Sequence, residues 1–322
     1  MRILTHPVHT AWEYEFAKTG HEIWIVVEKF PSSADGWVNF RGTLVGGGGV
    51  WNQKSRPLPD NVSFISLTEA LRGSFDVCVV HTVAWLEKLK DVACPIIFKV
   101  HVIPPPDFLP EWAEERLAAL TFNGDLAMSR VVTRRNILKS VIHVPVDPSL
   151  FKGYIGDQEA CLSVAHLAPL RPEKRLDRLN AIASRVKVDL VGGGNEGVPY
   201  AVGEAGSLEE LISVYRHHAV FLEVADHVGM ACIEAMTMGM PVVLFPPENR
   251  RDLFFRNGEN CIIVENEEEA ISAIRALFKD PGRRRALGKN ARAAASARFN
   301  AEIFRKKWNE LLLRVVRENP KI

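Results

Sequence analysis

No stretch of the 322 residues approaches the roughly 18 to 20 consecutive apolar side chains that a membrane-spanning helix requires. A membrane-spanning helix is therefore not expected. Cysteine is scarce: five thiols, at Cys78, Cys94, Cys161, Cys232 and Cys261, odd in number and well spread, with no C-x-x-C pair. That spacing argues against a zinc ribbon, a redox dithiol and a disulfide scaffold, and predicts free buried thiols in a reducing compartment. Charge imbalance is nearly absent too. Forty Lys and Arg against thirty-nine Asp and Glu give a net charge of +1, so no global field recruits nucleic acid, and no nucleic-acid partner is expected. A basic segment followed by a long apolar run is missing at the start, where His6-Pro7 follows at once, so the expected location is cytoplasmic.

What is present is an ordinary globular composition, 47% hydrophobic and 25% charged, long enough for about two domains. Short apolar runs alternate with helical patterns. Ile3-Leu4, then residues 11–18 ending at Gly20, then residues 22–27 read as strand, helix and strand. Further strands are expected at 75–80, 96–100 and 142–144, and helices at 85–90, 111–120 and 132–139. Continuous rather than alternating apolar strands predict a parallel sheet covered on both faces. Residues 31–61, with four consecutive glycines at 46–49 between Trp37 and Trp51, read as a long loop, either a flap over substrate or a plain connection. A phosphate-binding P-loop is excluded there, because no glycine precedes Lys54.

Pro145-Val146-Asp147-Pro148 reads as the end of a first domain, residues 1–150, with a linker over 149–159. A second series follows: strand 160–165, helix 175–184, strand 186–191, helix 208–215, strand 220–224, helix 231–238 and strand 241–245. The expected class is α/β, with two doubly wound parallel-sheet domains, 1–150 and 151–299, facing an interdomain cleft where ligands bind. The tail is basic. Thirteen Lys or Arg between 275 and 317 face Asp280, Glu302 and Glu310, a local charge of +10. Phe304, Trp308, Leu311, Leu312 and Val315 recur at helical spacing, so the last helix, within 300–322, is amphipathic. Packing of that face on a core is one reading; peripheral contact with an anionic membrane, at the inner face, is the other.

Two segments suggest ligand chemistry. Gly192-Gly193-Gly194-Asn195-Glu196-Gly197 fits G-x-G-x-x-G after a strand, but Pro199 follows and no helix opens, so a tight turn is expected rather than a dinucleotide site. The second runs from Asp226 to Val243. A strand ends at Asp226, a turn containing Gly229 enters a helix, Glu234 lies eight residues on, and Gly239-Met240-Pro241 leads into the next strand. Free N–H groups and the dipole at such a helix start suit a diphosphate. Glu234 could then reach a ribose and Asp226 a sugar hydroxyl; flanked by Ile233, Ala235 and Met236, Glu234 is poorly explained as a solvated surface residue.

This segment resembles the acid-x7-acid signature of the retaining GT-B glycosyltransferases of family 4. Ser163-Val164-Ala165-His166-Leu167 with Pro172-Glu173-Lys174-Arg175-Leu176-Asp177 is similar to the same family's V-G-R-L and P-x-K-G-x-D elements. Glu209-Glu210-Leu211 to Tyr215, Asn257-Gly258-Glu259-Asn260, and Asp280-Pro281 to Asn290-Ala291 match further elements, with looser matches at His81, His101 and Pro145-Val146-Asp147. The resemblance implies a GT-B fold, with the last helix returning to the first domain. It also implies transfer of a hexose-type sugar, with retention, from a nucleotide diphosphate donor to a hydroxyl of a glycan, a lipid-linked sugar or a small molecule. Lys174 would neutralise the departing diphosphate and Glu234 would hold the ribose. Asp226 and His101 would contact the donor sugar, and main-chain groups at Gly229, Met230 and Gly193 would orient the donor. No cofactor is implied, and no metal, since no D-x-D occurs anywhere in the chain.

Three departures are specific to this chain. Asp226 is one methylene shorter than the usual Glu. His166 stands where the family has Arg, with Arg171 a candidate for the missing charge. His6-Pro7-Val8-His9-Thr10 replaces a glycine-rich turn; His6 and His9 alone make a weak metal signal. The departures leave room for a sugar-nucleotide-binding protein without turnover. A nicotinamide oxidoreductase rests only on the 192–197 glycines, and a periplasmic sugar-binding protein is disfavoured by the absent signal segment.

Overall fold

The computed structural model describes residues 1–27, 51, 53, 56–105, 107–250 and 255–319. The chain divides into two compact units, residues 1–144 with 302–322, and residues 145–301.

The first unit is built on a seven-stranded, all-parallel sheet in the order β3-β2-β1-β4-β5-β6-β7. Its strands are β1 (Arg2–Thr5), β2 (Glu22–Val27), β3 (Val62–Ser66), β4 (Val77–Val80), β5 (Ile96–Val100), β6 (Leu117–Phe122) and β7 (Leu138–Val141). β4 and β5 are buried at every position, as a sheet covered on both faces demands. Helix Ala301–Glu318 presents Phe304, Trp308, Leu312 and Val315, none more than 2% exposed, to this unit. Trp308 packs edge-to-face with Trp12 and Phe16 at ring-centroid distances of 5.7 and 4.9 Å. The apolar face of the amphipathic tail is thus committed to a protein core, and contact with a membrane would rest on the outward side, where Lys and Arg stand with the exposed Ile303 and Leu313. Among the described residues no helix is long and apolar enough to cross a membrane.

Several sequence expectations are corrected here. The helix expected over 111–120 stops at Arg116, and Leu117–Phe122 is a strand between β5 and β7. Leu and Ala favour helix locally, but pairing on both edges overrides that propensity. Residues 132–139 are not a helix; their end enters β7, which closes before the strand expected at 142–144. The loop expected over 31–61 is followed by an unforeseen strand, β3, and by helix Leu67–Arg72. Ser66 and Glu69 close that helix with a reciprocal capping box. Trp51 is buried, its indole N–H donating to the Arg56 carbonyl at 2.9 Å, whereas Trp37 and the glycines at 46–49 lie outside the described residues.

The second unit carries a six-stranded parallel sheet in the order β10-β9-β8-β11-β12-β13. Its strands are β8 (Gln158–Val164), β9 (Val188–Val191), β10 (Ala201–Gly203), β11 (His218–Glu223), β12 (Val242–Leu244) and β13 (Ile262–Ile263). β10 and β13 were not foreseen, being edge strands of three and two residues. The break between units falls at 144/145 rather than at 150. Val146 bridges to Asn300, and Phe151 packs its ring on Tyr215, so the expected end of the first domain and its linker belong to the second unit. All five cysteines are buried free thiols.

Candidate functional site

In the second unit the chain runs from β8 outward through β9 to β10, then restarts on the other side of β8 with β11. Open parallel sheets hold ligands at the carboxyl ends of the strands flanking such a reversal. His166 follows β8, Gly193 follows β9 and Asp226 follows β11, so the sheet topology gathers three of the predicted residues at this point.

The glycine run after β9 is a turn moulded on the segment after β8. A Cβ at Gly192 would lie 2.1 Å from the Ala165 carbonyl oxygen, and one at Gly194 would lie 2.2 Å from a Leu167 methyl. Asn195, 2% exposed, staples the two segments: its amide donates to the Ala165 and Gly192 carbonyls, and its oxygen accepts from the Ala168 N–H. The Gly193 N–H donates to His166 Nδ1 at 3.1 Å. Burial holds His166 below its ordinary pKa against the opposing pull of Glu204, so the ring is a neutral acceptor there. Strand β10, not a helix, follows the glycines, which removes the structural basis of a dinucleotide site.

Lys174 ends a short turn, Pro172–Lys174, and is followed by Arg175 in the left-handed region at φ 48°. A non-glycine residue held there is locally strained, a condition that surrounding contacts must enforce. Two contacts do so. The Arg175 guanidinium grips Asp177 with bonds of 3.1 and 2.9 Å and reaches Asp226 at 3.4 Å. The Asp226 N–H donates to the Glu173 carbonyl at 3.0 Å, tying the Lys174 turn to the loop before helix Met230–Met238. Arg171, the candidate for the missing charge, is paired with Glu173 at 2.8 Å. Sequence reasoning missed Glu223, at the end of β11. Burial pushes its carboxyl up to about 7, while the Lys174 ammonium pulls the other way.

Among the described residues, helix Met230–Met238 has no side-chain cap at its start, and a Cβ at Gly229 would meet nothing within 4 Å. The leading N–H groups therefore have no side-chain cap among the described residues, and the loop before them is tied to the Lys174 turn. Glu234 is 6% exposed and accepts a hydrogen bond from the buried Tyr215 hydroxyl at 2.9 Å, so it is no solvated surface residue. Tyr215 was visible only as a motif letter. The glycines that close the motif act in packing: Gly239 ends the helix at φ 92°, and a Cβ at Gly288 would lie 1.9 Å from the Gly239 carbonyl oxygen. Asp226 also lines an open depression with Arg178, Phe245, Pro246, Glu248 and Glu265.

The first unit has its own reversal, between β1 and β4, and a row of polar residues directly after adjacent strands. These are His6 after β1, His81 after β4, His101 after β5 and Asn123 after β6. They are joined. The His81 N–H donates to His6 Nε2 at 2.9 Å, His81 Nδ1 lies 2.8 Å from His101 Nε2, and Asn123 donates to the His101 carbonyl at 2.6 Å. Burial lowers the pKa of His6 to about 3 and holds His81 and His101 well below the usual range. Among the described residues no group of three or more His, Cys, Asp or Glu could hold a metal ion.

Residues 200–294 match the family model of the glycosyl transferases group 1. That stretch carries helix Met230–Met238 with Asp226 and Glu234, and the glycine contact between residues 239 and 288. No curated protein matches the chain in sequence. The fold is similar to HepE from Anabaena, solved in complex with UDP-glucose, with a TM-score of 0.72 at 15% identity, covering 98% of this chain and 100% of that one. Sucrose-phosphate synthase from Thermosynechococcus elongatus gives a TM-score of 0.69 at 14% identity, with 98% and 99% covered. TarM from S. aureus gives 0.59 at 14%, with 73% and 55% covered. The likeness to glycosyltransferase structures over nearly the whole chain fixes the fold class as GT-B, with two Rossmann-like α/β domains.

Proposed function

We propose that this protein is a retaining, metal-independent glycosyltransferase that moves a hexose-type sugar from a nucleotide diphosphate donor to an acceptor hydroxyl. The observation that carries this reading is the start of helix Met230–Met238, uncapped among the described residues, within a stretch that matches a glycosyltransferase family, its preceding loop tied to the Lys174 turn. The departing diphosphate gathers negative charge as the bond from the anomeric carbon to its oxygen breaks. The N–H groups at Gly229 and Met230 and the Lys174 ammonium stabilise that charge. Glu234, oriented by Tyr215, takes the ribose hydroxyls; Asp226 takes a hydroxyl of the transferred sugar, and His101 a second oxygen of it. The acceptor oxygen forms the new bond on the face that the diphosphate leaves, and its proton departs with the diphosphate. Because HepE is solved with UDP-glucose, UDP-sugars are the first donors to try.

The test is release of nucleoside diphosphate from UDP-, GDP- and ADP-sugars with EDTA present, comparing the wild type with Lys174→Ala and Glu234→Gln. Release from one donor that survives EDTA and falls in both variants supports the proposal and names the base. Nucleotide binding without release from any donor, with or without acceptor sugars, would favour a binding protein without turnover.

A further inference from the structure

Thr5, the last residue of β1, is 1% exposed, and its hydroxyl lies 3.2 Å from His81 Nε2. That nitrogen is the one side-chain or ring partner of the Thr5 hydroxyl among the described residues. A buried O–H without an acceptor is costly, so the hydroxyl donates to His81 Nε2. His81 Nε2 then carries no hydrogen, and in a neutral imidazole its Nδ1 does. The His81 Nδ1–H points at His101 Nε2, 2.8 Å away, which must accept. The remaining proton of His101 sits on Nδ1, and no residue among those described takes it. His6 cannot reverse this order: its Nδ1–H donates to the Pro7 carbonyl at 3.1 Å, and its Nε2 accepts from the His81 backbone. Burial keeps all three rings neutral, so the sequence of donors is not disturbed by protonation.

We infer that Thr5 and His81 are positioning residues that lock His101 in its Nδ1–H tautomer, so that His101 meets its ligand as a hydrogen-bond donor to a sugar oxygen and not as a base. The assignment of a sugar ligand rests on the function proposed above; the tautomer does not. Asn123 supports the same arrangement by fixing the His101 backbone, and the Trp12 ring packs edge-to-face with both His81 and His101, at centroid distances of 4.8 and 5.7 Å.

Two-bond proton–nitrogen NMR spectra of the ligand-free protein read the tautomer directly. The expected result is a protonated Nδ1 and a bare Nε2 in both His81 and His101, with the order scrambled in Thr5→Val and restored in Thr5→Ser. A protonated Nε2 on His101 in the wild type would overturn the inference. In donor turnover, Thr5→Val is expected to lower kcat about fivefold to tenfold with KM for the donor little changed, the effect of one misplaced hydrogen bond. Thr5→Ser should recover the rate. His101→Asn, which keeps an N–H near the Nδ1 position, should retain more activity than His101→Leu; equal loss in the two would refute the donor role. If no donor is turned over, the proposed function fails while the NMR spectra still decide the tautomer.

Discussion

Glu13 lies on the first turn of helix Thr10–Ala17 and is 3% exposed. One carboxyl oxygen accepts from the Val8 N–H at 2.7 Å; the other is buried with no partner among the described residues. Burial raises its pKa from 4.5 to about 8, with the Val8 and His9 N–H groups resisting the rise. The native state therefore holds a proton that the unfolded chain releases between pH 4.5 and 8, and stability falls as pH rises through that window. At about 1.4 kcal/mol per pH unit the cost near pH 7 is about 3 kcal/mol. Glu13→Gln keeps the acceptor for Val8 and removes the ionisable group. Its advantage over wild type should be near zero at pH 4.5, grow to about 3 kcal/mol at pH 7 and level off above pH 8. All seven tryptophans fall within residues 1–144 and 302–322, so urea unfolding followed by tryptophan emission reports on the first unit alone. A difference between variant and wild type that stays constant from pH 5 to 8 would refute the reasoning, because it would mean that Glu13 folds ionised.

Gly288→Ala should lower stability by about 2–3 kcal/mol or more, since its methyl would collide with the Gly239 backbone, and thermal unfolding of the second unit measures it. Trp308→Ala should cost about 3–5 kcal/mol, read as a lower urea midpoint for the first unit, by emptying the contact with Trp12 and Phe16. Lys99, fully buried and bonded to the Ile142 carbonyl, is held well below its usual pKa by burial; Lys99→Met should raise the melting temperature at pH 7, and the gain should shrink as pH rises toward 10.5, where the unfolded lysine also loses its proton. With the apolar face of the last helix buried, retention on anionic vesicles should vanish at moderate salt; retention at high salt would contradict that packing.

The parts of the candidate site that were legible in the sequence are local. Asp226, the turn at Gly229, the apolar helix with Glu234, and Gly239 before Pro241 lie within one strand, one helix and one strand, and propensity and spacing suffice to place them. The glycines at 192–194 were legible as a turn for the same reason. What was missed depends on contacts remote in sequence. Nothing linear joins Thr5 to His81 and His101, or marks Glu223 as the neighbour of Lys174. Lys99 and Glu13 defeat pattern reading from the other side, since charged residues inside apolar runs are usually assigned to a solvated face. In the fold, β6 was lost because Leu-Ala-Ala-Leu favours helix until two neighbouring strands claim it, whereas β3 carried a readable signal in the Ser66 to Glu69 capping box that follows it.

The first unit is discontinuous: helix Ala301–Glu318 contributes Phe304, Trp308 and Leu312 to a core whose other members precede residue 145. During synthesis, the second unit has all of its own residues while the first still lacks that helix. Trp12 and Phe16 stay without their partner until the helix emerges, an interval in which sticky aromatic surface is open to chaperones or to other chains. A chain released before residue 302 would keep a complete second sheet and a permanently unfinished first one, so truncation is expected to produce aggregation instead of a smaller working protein.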